Sequence, residues 1–293
     1  MYKLVCLLLM TCLAYGCEKS ISFKPRNAAS LLVVDASIES GQPPLVILSG
    51  SLDYFSKISP DILAGSFVRN ADVFISNGTT NHKLKEYAVP NVNGYTLYYY
   101  SIDSSNLATA FVGEFNKTYQ LKIVADNVQY NATTSIPVLA KKIDSLWWKK
   151  APYNPDTNKV VLMSRVTDPP GYGNYIRYFT KVNGSIFFPG LASVFDDQII
   201  DGTTYDIQVE KGVDRNRKID LENYSFFERG DTVTVKFTNI DKATYDFWRT
   251  MEFSYQSIGN PFSSPTKVIG NVKGALGYFG GYAVQYKSLI IPK

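Results

Sequence analysis

Reactive side chains are few in this chain, and their spacing limits the chemistry open to it. There is one histidine, His82, in Asn81-His-Lys-Leu, and the three cysteines stand at positions 6, 12 and 17 with none beyond. Tetrahedral zinc sites are built from several Cys and His ligands, so this composition argues against one. A Ser-His-Asp triad would have to use His82, which the sequence places in a polar, loop-like stretch. Carboxylates are the more plentiful reagent. Asp196-Asp197, Asp201 and Asp206 cluster in sequence, and glycoside hydrolysis needs only two carboxyl groups at the right separation. Adjacent residues on a strand point to opposite faces, so Asp196 and Asp197 are poor partners if that region is extended. Capping of turns at strand ends is the commoner use of such residues. Asp214-Arg-Asn216 begins like a calcium loop, but Lys218 and the missing glycine break the pattern. Gly277-Tyr-Phe-Gly-Gly281 lacks the spacing of a dinucleotide fingerprint, and there is no P-loop. The reading is therefore a protein with no catalytic residues, no metal and no cofactor.

Binding chemistry is better represented. Trp147-Trp148 and Tyr98-Tyr-Tyr100 lie in β-rich runs, so neighbours within each run must face opposite ways. One side of each run then serves a core, and the other is free to meet a ligand or partner. Trp147, Trp148 and Tyr99 are the binding candidates on this ground. The formal charge of +4, with no basic cluster longer than Asp214-Arg-Asn-Arg-Lys218, gives no footprint for nucleic acid.

The N-terminus carries an address. Lys3 followed by the apolar run Leu4 to Ala14 matches a signal peptide and is too short to span a bilayer. Residues 1–16 are expected to be removed. Cys17 then has two readings: a lone free thiol left by ordinary cleavage, or the lipidated first residue of a bacterial lipoprotein. Gly16-Cys17 resembles a lipobox, although Ala14 and Tyr15 depart from its usual residues. Lipidation is favoured, because an exposed thiol with no partner in an oxidising compartment is a liability. Residues 17–29 would be the tether.

The elements that position these residues read as strands. Aromatics make up 14% of the chain and charged residues 19%, a balance that suits half-buried sheets. From residue 30 to 139 short alternating runs are separated by turn signals such as Gly41-Gln-Pro-Pro44, Asn77-Gly78 and Asp126-Asn127. Phe115-Asn-Lys-Thr-Tyr119 resembles the approach to a tyrosine corner, with Tyr119 packed at it. Ile136-Pro137 to Lys142 reads as a link to a second unit of similar make. The exception is one helix near 241–257, with Asp241 as N-cap and Ile240, Ala243, Phe247, Met251 and Tyr255 along its apolar face. The tail from Gly274 reads as a glycine-rich loop and closing strands. The fold expected is all-β: two Ig-like or fibronectin-like sandwiches, 30–139 and 140–293, the second carrying the helix.

Several stretches, taken in order, also resemble a known family. They are Cys17-Glu-Lys, Leu32-Val-Val with Gly41-Gln-Pro-Pro44, Ile143-Asp-Ser-Leu146, Asp168-Pro-Pro-Gly-Tyr-Gly-Asn-Tyr175, Phe195-Asp-Asp with Asp201-Gly202, and Gly230-Asp-Thr-Val. Asp241-Lys-Ala-Thr-Tyr-Asp-Phe-Trp248 and Gly274-Ala-Leu-Gly-Tyr-Phe-Gly280 complete the set. The family is that of Bacteroidetes lipoproteins catalogued as domain of unknown function 4249. The resemblance implies an outer-membrane lipoprotein, often encoded beside a TonB-dependent transporter, with an accessory role in binding or uptake. It leaves open which side of the outer membrane the protein faces and what ligand it takes. A glycan-binding module or carbohydrate-active enzyme is the alternative, and a structural surface protein the second alternative.

Overall fold

A computed structural model describes residues 30–52, 59–92, 94–257 and 266–293. The signal segment, Cys17 and the tether lie outside the described residues. The chain runs β1 (Leu32–Glu39), β2 (Leu45–Gly50), α1 (Pro60–Ser66), β3 (Asp72–Ser76), β4 (Asn81–Lys83), β5 (Lys85–Val92) and β6 (Tyr95–Ser101). Next come β7 (Lys117–Ala125), β8 (Val128–Ile136), β9 (Lys142–Lys150), β10 (Lys159–Thr167), β11 (Tyr175–Val182), β12 (Phe188–Phe195) and β13 (Thr204–Val209). It closes with β14 (Phe227–Glu228), β15 (Thr232–Ile240), α2 (Lys242–Ser257), β16 (Val272–Lys273) and β17 (Leu276–Ile290). The fold is all-β, as expected.

Local chemistry explains many of the turns. Asp126 and Asn127 both have positive φ, +49° and +62°, between the paired residues Ala125 and Val128. That is the two-residue hairpin geometry for which Asn and Asp are suited. At Asn77-Gly78 the Asn77 carboxamide oxygen accepts from the amides of Thr79 and Thr80, and Gly78 supplies φ +92°.

Three sheets result. The longest has eight strands in the order β12-β11-β15-β17-β1-β2-β6-β5; β1 and β17 pair in parallel. A five-stranded sheet, β16-β8-β7-β3-β4, covers one part of it. Val73, Ile75, Leu121, Ile123 and Ile136 there meet Val34, Ala36, Ile38, Val46 and Leu48 of the long sheet, each at most 1% exposed. The remaining sheet, β13-β10-β14 with β9 also on β10, faces β11 and β15. Its core holds Ile143, Val160, Leu162 and Val166 against Ile176, Val233, Val235 and Phe237. The two cores thus divide near the link at residues 137–142, and one continuous sheet runs behind both. On β17, Phe279 and Ala283 face the first core, whereas Tyr278 and Tyr282 face α2 on the opposite side.

The tail departs from expectation. Leu276–Ile290 is a single 15-residue strand, not a loop followed by strands. Its glycines serve close approach. A Cβ on Gly277, where φ is +96°, would lie 1.9 Å from the Val34 carbonyl, and one on Gly281 would lie 2.4 Å from that of Ser135. The helix also differs in its buried face. Asp241 caps it as expected, accepting from the Thr244 amide at 2.8 Å. Its other oxygen accepts from the Thr134 hydroxyl and the Ser135 amide, both at 2.9 Å, which ties the helix to β8. Ile240 belongs to β15, and the buried side chains are Thr244, Tyr245, Phe247 and Glu252, while Tyr255 is exposed. The helix is rotated because Glu252 is drawn inward: it accepts from the amide and hydroxyl of Ser193 and pairs with Arg215 at 3.0 Å.

Tyr119 does sit at a tyrosine corner. It is 1% exposed, stacks on Phe111, and its hydroxyl accepts from the Glu114 amide at 2.7 Å. His82 corrects the sequence reading. It lies on β4 and is buried, because alternation on that strand turns it inward. Its Nε2 accepts from the Asp103 amide at 3.2 Å, which leaves the proton on Nδ1 facing the Thr109 hydroxyl at 2.9 Å. Both ring nitrogens are engaged in holding a loop, so this histidine is structural.

Candidate functional site

The four-stranded sheet does not close fully onto the long one. Along β10 the inward row is Val160, Leu162, Ser164 and Val166, all buried. Ser164 is the polar member of an apolar row, and its hydroxyl has no hydrogen-bond partner. A buried polar atom left unpaired is unfavourable by ~1–3 kcal/mol, so such atoms call for an explanation. Here the explanation is space. Ser164 lines a cleft of about 570 Å³ between the sheets, within the range of small-molecule sites.

Aliphatic and aromatic groups form most of its wall: Ile143, Val166, Ile176, Tyr178, Val235 and Phe237 are on the floor and sides. The outer wall comes from β12 and β13, the free edges of their sheets. On β13, Tyr205, Ile207 and Val209 share the inward parity, yet Ile207 is 40% exposed, and Phe195 at the end of β12 is 39% exposed. Inward-pointing residues at an edge stay wet when nothing fills the space in front of them. Tyr178 stacks on Phe195 with centroids 6.2 Å apart, and it fits only because residue 190 is glycine: a Cβ there would lie 2.2 Å from the Tyr178 hydroxyl.

Three acidic residues border the cleft, and the carboxyls of two, Asp206 and Asp196, turn away from its interior. Asp206 is held by Arg165 in a two-pronged contact at 2.8 and 3.1 Å, which keeps its carboxyl below the usual range. Asp196 accepts from the Tyr245 hydroxyl at 2.9 Å, and Glu210 from the Tyr224 hydroxyl at 3.0 Å. Burial, then the hydrogen bond to the adjacent carboxylate, pushes both tyrosines up to about 12. They are neutral donors at ordinary pH.

Behind the cleft lies a second polar centre that the sequence showed only in pieces. Asp168, Asp197 and Asp201 each bring an oxygen within 4.8 Å of the others. Asp197 is buried, which raises its pKa, but the Asn174 and Gly173 amides and the Asn174 side chain outweigh this and hold it below the usual carboxylate range. Asp201 accepts from the Gly171 amide at 2.6 Å. The Asp168-Pro-Pro-Gly-Tyr-Gly-Asn174 turn is thereby clamped onto the segment after β12. Lys141 enters the cluster from the link, with Nζ 3.0 Å from Asp168 and both side chains fully buried. The cluster contains its own cation. The Asn239 side chain fixes the Lys141 backbone by two hydrogen bonds of 2.8 Å, which places the ammonium.

The aromatic residues singled out in the sequence lie elsewhere. Trp148 packs partly into the second core with Arg229 over its ring at 4.7 Å, and Trp147 takes the other face of β9 beside Lys149. Tyr99 stacks on Tyr87 at 5.4 Å, while its neighbour Tyr100 is buried and bonded to Glu86. None of Trp147, Trp148 and Tyr99 lines the cleft. Sequence reasoning did flag Asp196 and Asp206, as possible acids, and missed Ser164, whose signal was one hydroxyl at a core parity position.

In comparison with known families, the model described as "Domain of unknown function (DUF4249)" matches residues 18–288. No curated protein matches the chain.

Proposed function

The chain belongs to the family described as Domain of unknown function (DUF4249), and from that premise we propose that it is a binding subunit whose recognition site is the inter-sheet cleft. On this reading it is an accessory lipoprotein of the outer membrane. It is anchored through Cys17 and presents captured ligand to a TonB-dependent transporter, with no catalytic step of its own. The observation that carries the binding role is the cleft of about 570 Å³ with the unpaired Ser164 hydroxyl in its wall. A site of this kind needs shape and a few polar groups, not reagents.

A neutral apolar fluorophore, N-phenyl-1-naphthylamine, tests it. The expected result is a saturable rise in emission that Ala192→Trp, which fills the cleft from its outer wall, abolishes without lowering the melting temperature. No saturable rise, or one indifferent to Ala192→Trp, would sink the reading. The cellular part has its own tests. Mass spectrometry of the N-terminal peptide should find acyl groups on Cys17, and affinity capture from solubilised membranes should recover a transporter. The carbohydrate-active alternative draws on Asp196, Asp206 and Glu210, which all border the cleft, but Asp206 turns outward to Arg165 and Asp196 toward Tyr245 of α2. Against it, the floor is aliphatic and suits a polyol poorly.

A further inference from the structure

An open sheet ends in strands that show a row of backbone donors and acceptors, with which other chains can pair. We infer that the free edge of β13 takes an internal, extended segment of a partner protein by strand addition, with every second side chain of that segment entering the cleft. This rests on the binding role proposed above and adds the class of ligand.

The edges of the three sheets are not finished alike. β4, β14 and β16 are only two or three residues long, too short to template a partner strand. β5 carries Lys85, Pro90 and a shift of register between Val89 and Val92, all devices that spoil an edge. On β9 the Ile143 amide and carbonyl are both bonded to the Gln285 side chain, and the Asp144 carbonyl accepts from Lys287. On β12 the Ser193 amide donates to Glu252, and the Leu191 carbonyl accepts from Gln256 and Arg215. Its pairing with β11 is also broken by a register shift. β13 has none of these protections. It is six residues long, without proline, lysine or bulge, and runs in unbroken register beside β10. Among the described residues its backbone pairs with β10 alone.

The side chains agree with the backbone. Ile207 has inward parity yet is 40% exposed, and Phe195 on the other outer wall is 39% exposed. A strand laid on β13 would carry its own inward side chains, at every second position, into the space in front of Ile207. Backbone hydrogen bonds would supply affinity, and the apolar cleft would select apolar residues at alternate positions. The one charged side chain of β13, Asp206, is already held by Arg165. The strand therefore offers nothing to the charged end of a free peptide, and an internal segment of a protein chain fits it better.

The probe is a capped heptapeptide, acetyl-Lys-Ile-Thr-Val-Thr-Ile-Lys-amide, titrated by calorimetry and against bound N-phenyl-1-naphthylamine. It should bind, displace the dye and slow amide hydrogen exchange within Thr204–Val209. Two further peptides, methylated on the amide nitrogen of the central valine or of the threonine beside it, separate strand addition from apolar contact alone. Alternate amides of a strand face its neighbour, so one methyl peptide should bind about tenfold more weakly, a difference of ~1.4 kcal/mol, and the other nearly as well as the parent. Ile207→Lys puts an inward charge at the edge and should abolish peptide binding without lowering the melting temperature; the methyl pair on the unaltered protein stands in if that variant does not fold. Equal binding of the two methyl peptides, exchange protection confined to other strands, or tighter binding of the same peptide with free ends overturns the inference. So does a dimer formed through β13 without peptide, since the occupant would then be a second copy. Each of these leaves the binding role standing where the dye binds the cleft. Failure of dye and peptide alike overturns both.

Discussion

The two cores of this molecule share a backing sheet and differ in how they are finished. The first is sealed. Ile75, Leu121, Ile123 and Ile136 meet Val34, Ile38 and Leu48 with no more than 1% exposure, and Tyr119 pins the corner. The second begins the same way, with Val160, Leu162, Phe227 and Val233 fully buried. It then opens toward β12 and β13, where Ile207 and Phe195 stay exposed and Ser164 goes unpaired. A sandwich is a packed solid where both layers reach its edge, and it holds a cleft where one layer stops short. The difference lies in a few edge positions and not in the architecture.

The largest expected effect is at the join. Lys141→Met leaves Asp168 charged and buried without its partner, which should destabilise by ~3–5 kcal/mol. Urea denaturation reads it, and Lys141→Met with Asp168→Asn should recover much of the loss. If the single change is tolerated within experimental error, the cluster does not brace the open half. Next comes the contrast between the cores. Ile123→Ala in the sealed core should cost ~2–5 kcal/mol, whereas Ile207→Ala at the cleft should stay within about 1 kcal/mol, since half-exposed side chains lose little. Similar losses at both would erase the distinction drawn here. Ser164→Val follows: it removes an unpaired hydroxyl and fills space, so the unfolding free energy from urea denaturation should hold or rise by up to ~1–3 kcal/mol, while dye affinity falls. The smallest effect concerns pH. Burial lowers the pKa of His82 from about 6.5. The unfolded chain therefore binds more protons below that value, and stability should decline as pH drops from about 6.5 toward the lowered value. The decline belongs to the sealed half, and His82→Gln should flatten it in urea midpoints measured between pH 5 and 7.5.

Much of the fold was legible because it is local. Asp126-Asn127 and Asn77-Gly78 announce turns by side-chain chemistry alone. Tyr119 follows from its distance to the corner, and Asp241 caps the helix it precedes. What misled was long-range. Gly277 to Gly281 read as a loop because glycines are turn residues, and only the approach of Val34 and Ser135 shows them as strand. The helix face read from its period shifts because Glu252 has partners on β12 and at Arg215, far away in sequence.

By itself, then, the sequence determined the all-β class, the turns, the caps and the resemblance that the family match bore out. These depend on φ preferences and periodicities within a few residues. Tertiary structure alone decided that one eight-stranded sheet serves both halves, that His82 is buried, that Lys141 pairs with buried Asp168 in an aspartate cluster, and that the second core stays open. Each of those depends on which side chains arrive opposite one another from strands dozens of residues apart. A hydroxyl at position 164 is an ordinary strand residue until the cleft between the sheets leaves it without a partner.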